Sequence, residues 1–411
     1  MSISEAPAVR LDLQAQTFKQ NPFPTLALLR ESGAVIRTRM PIFGKMWLAT
    51  TYDAVTDLLR DHHRFVQNPA AAGNRVMAGI FRWLPRGLRP LATNMLLRDE
   101  PDHRRLRSFV DQAFLRQSID TLRPRLEAIA DEALDRMDEA RAPDGVDLVR
   151  HFARPFPLAV ICELLGLPPE DRPRFTRWAQ EFSTATSLPA ILWGLRGLSK
   201  MMRYLREEIQ RQSQRPRSGL LAGLIQAEEA GDRLSEDELL AMVFLLLAAG
   251  HHTTLHQISV SVLTLFDHPQ ALGELKADWS LADSAADELL RHVSFAQLTK
   301  PRFAREDTEF CGQSIRRGQM LMGCLASANS DPSVFDNPDQ LNIRRRPNRH
   351  LAFGTGIHVC LGAMLARVET AMALKGLFTR YPHLKLAVPR AQISYTRHFG
   401  TRALVALPVT W

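Results

Sequence analysis

The sequence predicts a mainly α protein with a smaller β-sheet portion, in a single domain over residues 1–411. Three observations lead there. Apolar residues recur at helical spacing almost without a break from about Glu100 to Arg291, and again from Leu361 to Tyr381. Strand-like stretches are confined to the neighbourhoods of 34–50, 302–325 and 392–409. No Pro-, Gly- or Ser-rich linker separates the two kinds of segment.

Taken in order, Asn21 to Glu31 reads as a short helix. Val35 to Arg39 and Lys45 to Thr50 read as two strands with a turn at Gly44 between them, and residues 53 to 61 as helix. Residues 66 to 98, rich in Pro, Gly and Arg, read as irregular; within them the stretch 75 to 92, with Phe81, Trp83, Leu84, Leu88 and Leu91 among four arginines, could touch a membrane surface or form a mobile lid, and a lid is expected because two prolines break any continuous amphipathic helix. One long helix stands out. Ser235 followed three residues on by Glu238 is a capping box, the helix runs from Glu236 to about Asp267, and His268-Pro269 ends it. A further helix holds Asp283 to His292. Short strands follow at Arg302 to Phe310, Ser314 to Ile315 and Gln319 to Leu325, and Gln392 to Val409 reads as a strand hairpin.

With 45% hydrophobic and 23% charged residues, the chain can bury a large core and is not of disordered composition. Met1 to Leu13 has no basic start followed by an apolar run, so it does not read as a secretory signal. The apolar run Leu239 to Gly250 is short of the roughly 20 residues that span a bilayer. The expectation is a soluble, cytoplasmic monomer without membrane contact. The four cysteines, Cys162, Cys311, Cys324 and Cys360, show no CxxC pairing, which argues against a disulfide framework or a zinc ribbon. A net charge of +8 admits nucleic acid, an anionic membrane or an acidic protein as partner. No basic stripe interleaved with aromatics is present, so no nucleic acid is expected and a protein partner is preferred.

The decisive segment is Phe353-Gly354-Thr355-Gly356-Ile357-His358-Val359-Cys360-Leu361-Gly362. Two glycines before the cysteine permit a tight turn that can approach a flat ligand closely. The cysteine sits just before a helix, whose N-terminal N–H groups favour a thiolate. Gly362, expected inside the first turn, allows another surface to come near. The arrangement suits an anionic sulfur presented to a metal.

This string resembles the haem-binding loop of the cytochrome P450 family, with Phe, two Gly, Cys seven residues after the Phe, and Gly two residues further on. The resemblance continues into Ala363, Leu365, Ala366 and Arg367 and covers nearly the whole chain. It implies the family's mainly α fold, haem b (iron protoporphyrin IX) as cofactor, and Cys360 as axial metal ligand. Thiolate ligation pushes electron density toward the iron and favours O–O cleavage. Phe353 would pack beside the sulfur, and His358 would point at a haem propionate. Glu288-Leu289-Leu290-Arg291 matches the family's ExxR helix, its i,i+3 spacing putting both charges on one face. Arg345 would complete a buried structural trio with them. His103 and Arg107, four apart and so on one face, would pair with propionates, as would Arg302.

Within the long helix, Ala249-Gly250-His251-His252-Thr253-Thr254 resembles the family's oxygen-activation motif. Gly250 would leave room for dioxygen, and Thr253 would hydrogen-bond there and help deliver protons. Standing alone, a mid-helix Thr would bond back to a carbonyl one turn earlier. The departure is His252, where the family usually carries an acid. A histidine titrates near neutrality and could relay protons instead. His252 and His256 are also i,i+4, but no HExxH pattern or third ligand supports a second metal.

By the same resemblance, Met77, Ile80, Phe81, Leu188, Leu192, Trp193, Phe244, Leu247, Phe295, Leu298 and Phe399 would line a mostly apolar substrate pocket, with Gln297, Arg397 or His398 adding a polar contact. The expected reaction is insertion of one oxygen atom from dioxygen into an apolar, medium-sized organic substrate, by hydroxylation or epoxidation, as in secondary metabolism. Electrons would come from a ferredoxin or flavodoxin docking on a basic face at Arg104, Arg105 and the four arginines within Arg344 to Arg349. The alternatives are a peroxide-driven or non-oxygenating redox haem enzyme, and a haem-binding sensor.

Overall fold

The computed structural model describes residues 9–10, 12–40, 44–80, 86–115, 119–183, 188–227 and 231–411. They form two compact units, Met1–Ala78 with Ala140–Val149 and His256–Trp411, and Gly79–Glu139 with Arg150–Leu255.

The first unit holds all the strands among the described residues. Val35–Met40 and Gly44–Ala49 pair antiparallel in full register, Val35 opposite Ala49 and Met40 opposite Gly44. The second of them runs parallel to Met320–Gly323, so segments nearly 300 residues apart share one sheet. Arg302–Ala304 and Phe65–Val66 extend it on one side, and Val9–Arg10 on the other. One apolar cluster, with Leu26, Leu48, Met320 and Leu298, and a second, with Val55, Leu58, Phe65 and Leu321, supply this unit's core. Sheet residues facing opposite ways feed the two clusters, as the two-residue period of a strand requires.

The expected C-terminal hairpin is a different structure. Only Tyr395 and Leu404 form a bridge, backed by the Thr396 N–H to Ala403 carbonyl bond of 2.8 Å. The strand Pro408–Thr410 pairs instead with Lys385–Leu386 and Val146–Asp147. The Leu407 N–H donates to the Asp147 carboxylate at 2.9 Å, and its carbonyl accepts from Leu148, so the chain end is captured from outside the hairpin.

The second unit is mainly helical in its described residues, with Asp102–Leu115, Ile119–Glu139, Pro155–Leu165, Arg172–Ser183, Leu188–Gln214 and Leu220–Gln226. The supposedly irregular 66–98 contains three short helical pieces, Arg75–Ile80, Arg86–Thr93 and Met95–Leu97; of the expected lid residues, Phe81, Trp83 and Leu84 lie outside the described residues, Leu88 is buried and Leu91 half-buried. The long helix begins in this unit and runs Glu236–Asp267, the bounds the sequence implies. Its capping box closes as expected, with Ser235 N–H donating to Glu238 at 2.9 Å and Glu238 N–H to the Ser235 hydroxyl at 3.3 Å. At 32 residues it is long and apolar enough to cross a membrane, against the sequence estimate, but most of its apolar window is buried inside the protein.

Candidate active site

The four cysteines divide by environment. Cys162 and Cys324 are wholly buried, and burial pushes their thiols up to about 12 and about 11, which makes them inert. Cys311 and Cys360 are exposed. Cys311 occupies the turn between the short strands Thr308–Phe310 and Gln313–Ile315. Cys360 ends the glycine loop, its N–H bonded to the Phe353 carbonyl at 3.0 Å, three residues before the helix Ala363–Arg380. Gly362 caps that helix from outside the first turn, which corrects the sequence reading, and nothing lies within 4 Å of where its side chain would be. Val359 and Met364, on either side of the cysteine, are 40% and 60% exposed. An accessible sulfur is thus flanked by apolar surface that a flat apolar cofactor would cover.

The loop's shape is set by its contact with the Tyr52–Arg60 helix. Gly356 has φ +75°, and a side chain there would meet the Leu59 carbonyl oxygen at 2.4 Å. Near that same carbonyl lies buried Arg302, whose guanidinium donates to Leu59 at 3.5 Å and to the Phe65 carbonyl at 3.0 Å. The structure therefore brings Arg302 and the cysteine loop together. His358 lies half-buried in the loop.

Behind the loop stands the expected trio. Glu288, fully buried, accepts from Arg291 at 2.7 and 2.8 Å and from Arg345 at 3.1 and 3.2 Å. Arg291 also donates to the carbonyls of Asn329 at 2.8 Å and Pro338 at 2.7 Å. Sequence reasoning missed the residues that tie this trio to the loop. The Asn329 side chain accepts the Leu351 N–H at 2.6 Å, and Asn348 donates to Glu288 at 3.2 Å. Asp287 accepts from Arg367 at 2.6 Å and contacts His350 at 3.3 Å, and the Arg367 guanidinium covers the Phe353 ring at 4.8 Å. Burial raises the Asp287 carboxyl, but hydrogen bonds from His350 and Arg367 outweigh it and hold it below the ordinary range. An acid directly before the ExxR glutamate was the available signal.

In the second unit, beyond its exposed first turn, the long helix has its accessible residues on one side: Leu245, Ala248, Ala249, His252 and Thr253 at i, i+3, i+4, i+7 and i+8, flanked by half-buried Phe244 and Gly250. The Thr253 hydroxyl donates to the Ala249 carbonyl at 2.7 Å. His252 is half-buried, while His251 points inward, where burial together with the charges of His252 and Arg154 pushes it down to about 3 and keeps it neutral. The missing side chain of Gly250 is aimed at Ile161, 3.0 Å away, so the glycine also allows close packing against the Pro155–Leu165 helix. His103 is buried with Nδ1 3.5 Å from Glu100, and Arg107 donates to Asp111 at 3.0 Å.

The pocket residues separate into groups. Met77, Leu298 and Phe399 share one apolar cluster, and Phe295 stacks on the His256 ring at 5.2 Å. Phe244 and Leu247 lie half-buried and buried on the long helix. Phe81 falls outside the described residues, and Leu188, Leu192 and Trp193 lie on the Leu188–Gln214 helix with side chains outside them, as is that of Ile80 on its own short helix. No cluster of three metal-ligating side chains occurs among the described residues. The expected basic docking face is also depleted. Arg105 is committed to Asp232 and Glu238, and Arg345 to Glu288. Exposed Arg104 and Arg344 pair with Glu100 and Glu274, each at 3.0 Å.

A helical frame and an accessible thiol in a glycine loop, anchored by a buried Glu–Arg–Arg trio, define a class: proteins that hold a flat metal cofactor through one cysteine. Comparison with known proteins names the family. A family model described as cytochrome P450 matches residues 197–388. The polyketide biosynthesis cytochrome P450 PksS of Bacillus subtilis (strain 168) is 37% identical over 398 residues, 96% of either chain. Its solved structure matches with a TM-score of 0.87 at 36% identity, over 97% of this chain and 98% of that one. The mycinamicin IV hydroxylase/epoxidase of Micromonospora griseorubida is 37% identical over 386 residues, 93% of this chain and 94% of its own. The chain belongs to the cytochrome P450 family and is a monooxygenase-type oxidoreductase, whose family cofactor is a haem iron. The donor chemistry fits that group: one exposed sulfur, apolar flanks and a nearby buried guanidinium.

Proposed function

We propose that this chain is a cytoplasmic haem b monooxygenase, folded as one domain, that hydroxylates or epoxidises an apolar, medium-sized product of polyketide-type biosynthesis with electrons from a separate ferredoxin or flavodoxin. The observation that carries the reading is Cys360, exposed between apolar flanks at the end of a glycine loop braced from both sides. The names of the relatives, one from polyketide biosynthesis and one a hydroxylase/epoxidase, support the substrate class.

In this reading Cys360 binds the iron, Arg302, His103, Arg107 and His358 face the haem's charged edge, and the Glu288 trio keeps the loop in shape. When bound, the haem supplies activation of dioxygen, favoured by its thiolate ligand. Thr253 has its own hydrogen directed at Ala249, so its oxygen meets the reaction space as an acceptor. It would hold a water molecule there, and half-buried His252 next to it would pass protons in from solvent. Apolar residues including Met77, Phe295, Leu298 and Phe399 exclude water and orient the substrate.

The test is spectroscopic. Protein reconstituted with haem should give a reduced carbonyl adduct with the red-shifted band of thiolate ligation, and Cys360→Ser should lose it. A colourless product, or an unshifted band in the parent protein, removes the reading. His252 in place of the usual acid favours one second reading, oxidation driven by peroxide. Turnover with peroxide but not with reduced ferredoxin assigns it.

A further inference from the structure

Lys19 is wholly buried, with Asp12 the acid acting on it through space, and its ammonium is bonded to backbone carbonyls. It sits on the helix Gln16–Gln20 and donates to the carbonyls of Thr396 and, at 2.8 Å, His398. Four further hydrogen bonds between the same short helix and the C-terminal turn complete the contact. Gln16 donates to the Tyr395 carbonyl at 2.7 Å and accepts the Tyr395 N–H at 2.9 Å. Arg402, buried, donates to the carbonyls of Lys19 at 2.7 Å and Gln20 at 3.2 Å, closing the helix's C-terminal end.

The turn gripped in this way is Thr396 to Ala403, closed by its own 2.8 Å backbone bond. On the other side it is joined to the segment after the ExxR helix, through Gln297 N–H to Gly400 at 2.9 Å and Arg402 N–H to Phe295 at 2.9 Å. Its tip carries Phe399, which packs with Met77 and Leu298. Two turn carbonyls aimed inward need donors, and burying a carbonyl without one is costly. An ammonium on a long flexible stem supplies two bonds at once; an apolar residue supplies none.

We propose that Lys19 is a positioning residue for substrate selection, gripping the 396–403 turn so that Phe399 keeps one place. This rests on the reading of Phe399 as a substrate-lining residue. Gln16 and Arg402 are its co-anchors, and all three act from outside the reaction space.

The holoenzyme variants Lys19→Met, Gln16→Ala and Phe399→Ala test it, with two readouts. Hydrogen exchange of a peptide covering 394–402 should be roughly tenfold faster or more in Lys19→Met, the loss of charge-assisted bonds, with the 236–267 helix unchanged. Spectral titration with 4-phenylimidazole, whose phenyl group probes the pocket, should weaken about tenfold in Lys19→Met and Phe399→Ala, while plain imidazole binds as before. If Phe399→Ala weakens the phenyl probe but folded Lys19→Met does not, the grip has no role in selection and the proposal falls while the pocket reading stands. If Phe399→Ala also has no effect, both fall. Should Lys19→Met fail to fold, Gln16→Ala carries the same two expectations and the same refutations.

Discussion

Replacing Glu288 by Gln should be among the most damaging isosteric changes in this protein. The carboxylate is fully buried and takes bonds from Arg291 at 2.7 and 2.8 Å, from Arg345 at 3.1 Å, from the Asn342 N–H at 3.0 Å and from Asn348 at 3.2 Å. One negative charge thus serves two guanidiniums. Glutamine removes that charge and turns an N–H₂ group toward donors, leaving Arg291, with no side-chain exposure, uncompensated. Breaking a buried pair in this way costs about 3–5 kcal/mol, roughly a thousandfold in the folding equilibrium. Arg345→Met removes one of the two positive charges instead and leaves Glu288 and Arg291 matched. It forfeits hydrogen bonds such as the 2.8 Å one to Asp336, about 1–3 kcal/mol. Urea unfolding of both variants at neutral pH, followed by near-ultraviolet circular dichroism, should rank them in that order. Equal midpoints for Glu288→Gln and the parent, or a larger loss in Arg345→Met, would refute the charge count.

Gly356→Ala places a methyl 2.4 Å from the Leu59 carbonyl at φ +75°, so the haem-to-protein ratio of the purified variant should collapse; full haem loading would show that the loop can shift. Iodoacetamide mapping by mass spectrometry should label Cys311 and Cys360 in the haem-free protein and spare Cys162 and Cys324, and haem should protect Cys360 alone. Burial, with the charges of Arg291 and Arg402, pushes His292 from 6.5 down to about 3. The unfolded chain therefore takes up that proton first as pH falls, and stability drops through this window by about 1.4 kcal/mol per pH unit. His292→Gln, which can keep the bond to the Asp339 carbonyl, should flatten the slope by that amount, and an unchanged slope would contradict the buried-neutral assignment.

What could be read in the sequence was local. The long helix is announced at both ends by Ser235, Glu238 and His268-Pro269, and its observed bounds follow those signals. The Glu288–Arg291 contact follows from helical spacing, and the loop before Cys360 from its glycines. Long-range pairing could not be read. The two-residue strand Val146–Asp147 has no periodicity to detect, yet it captures the chain end and turns an expected hairpin into a bridged turn. The same limit hid the fate of charges. Arg105 and Arg344 looked like docking residues because their acids, Asp232, Glu238 and Glu274, lie 70 or more residues away. Lys19 carried no signal at all, since its partners are backbone carbonyls about 380 residues on.

The contact between Gly250 and Ile161 leaves 3.0 Å for a methyl group, so the two positions share one small volume. Their substitutions ought then to be conditional on each other: alanine at 250 becomes acceptable once 161 is trimmed to valine or alanine, and is poorly tolerated otherwise. Laboratory evolution that randomises only the helix carrying Gly250 would keep finding glycine there, whereas a library varying both positions together would open routes closed to either alone.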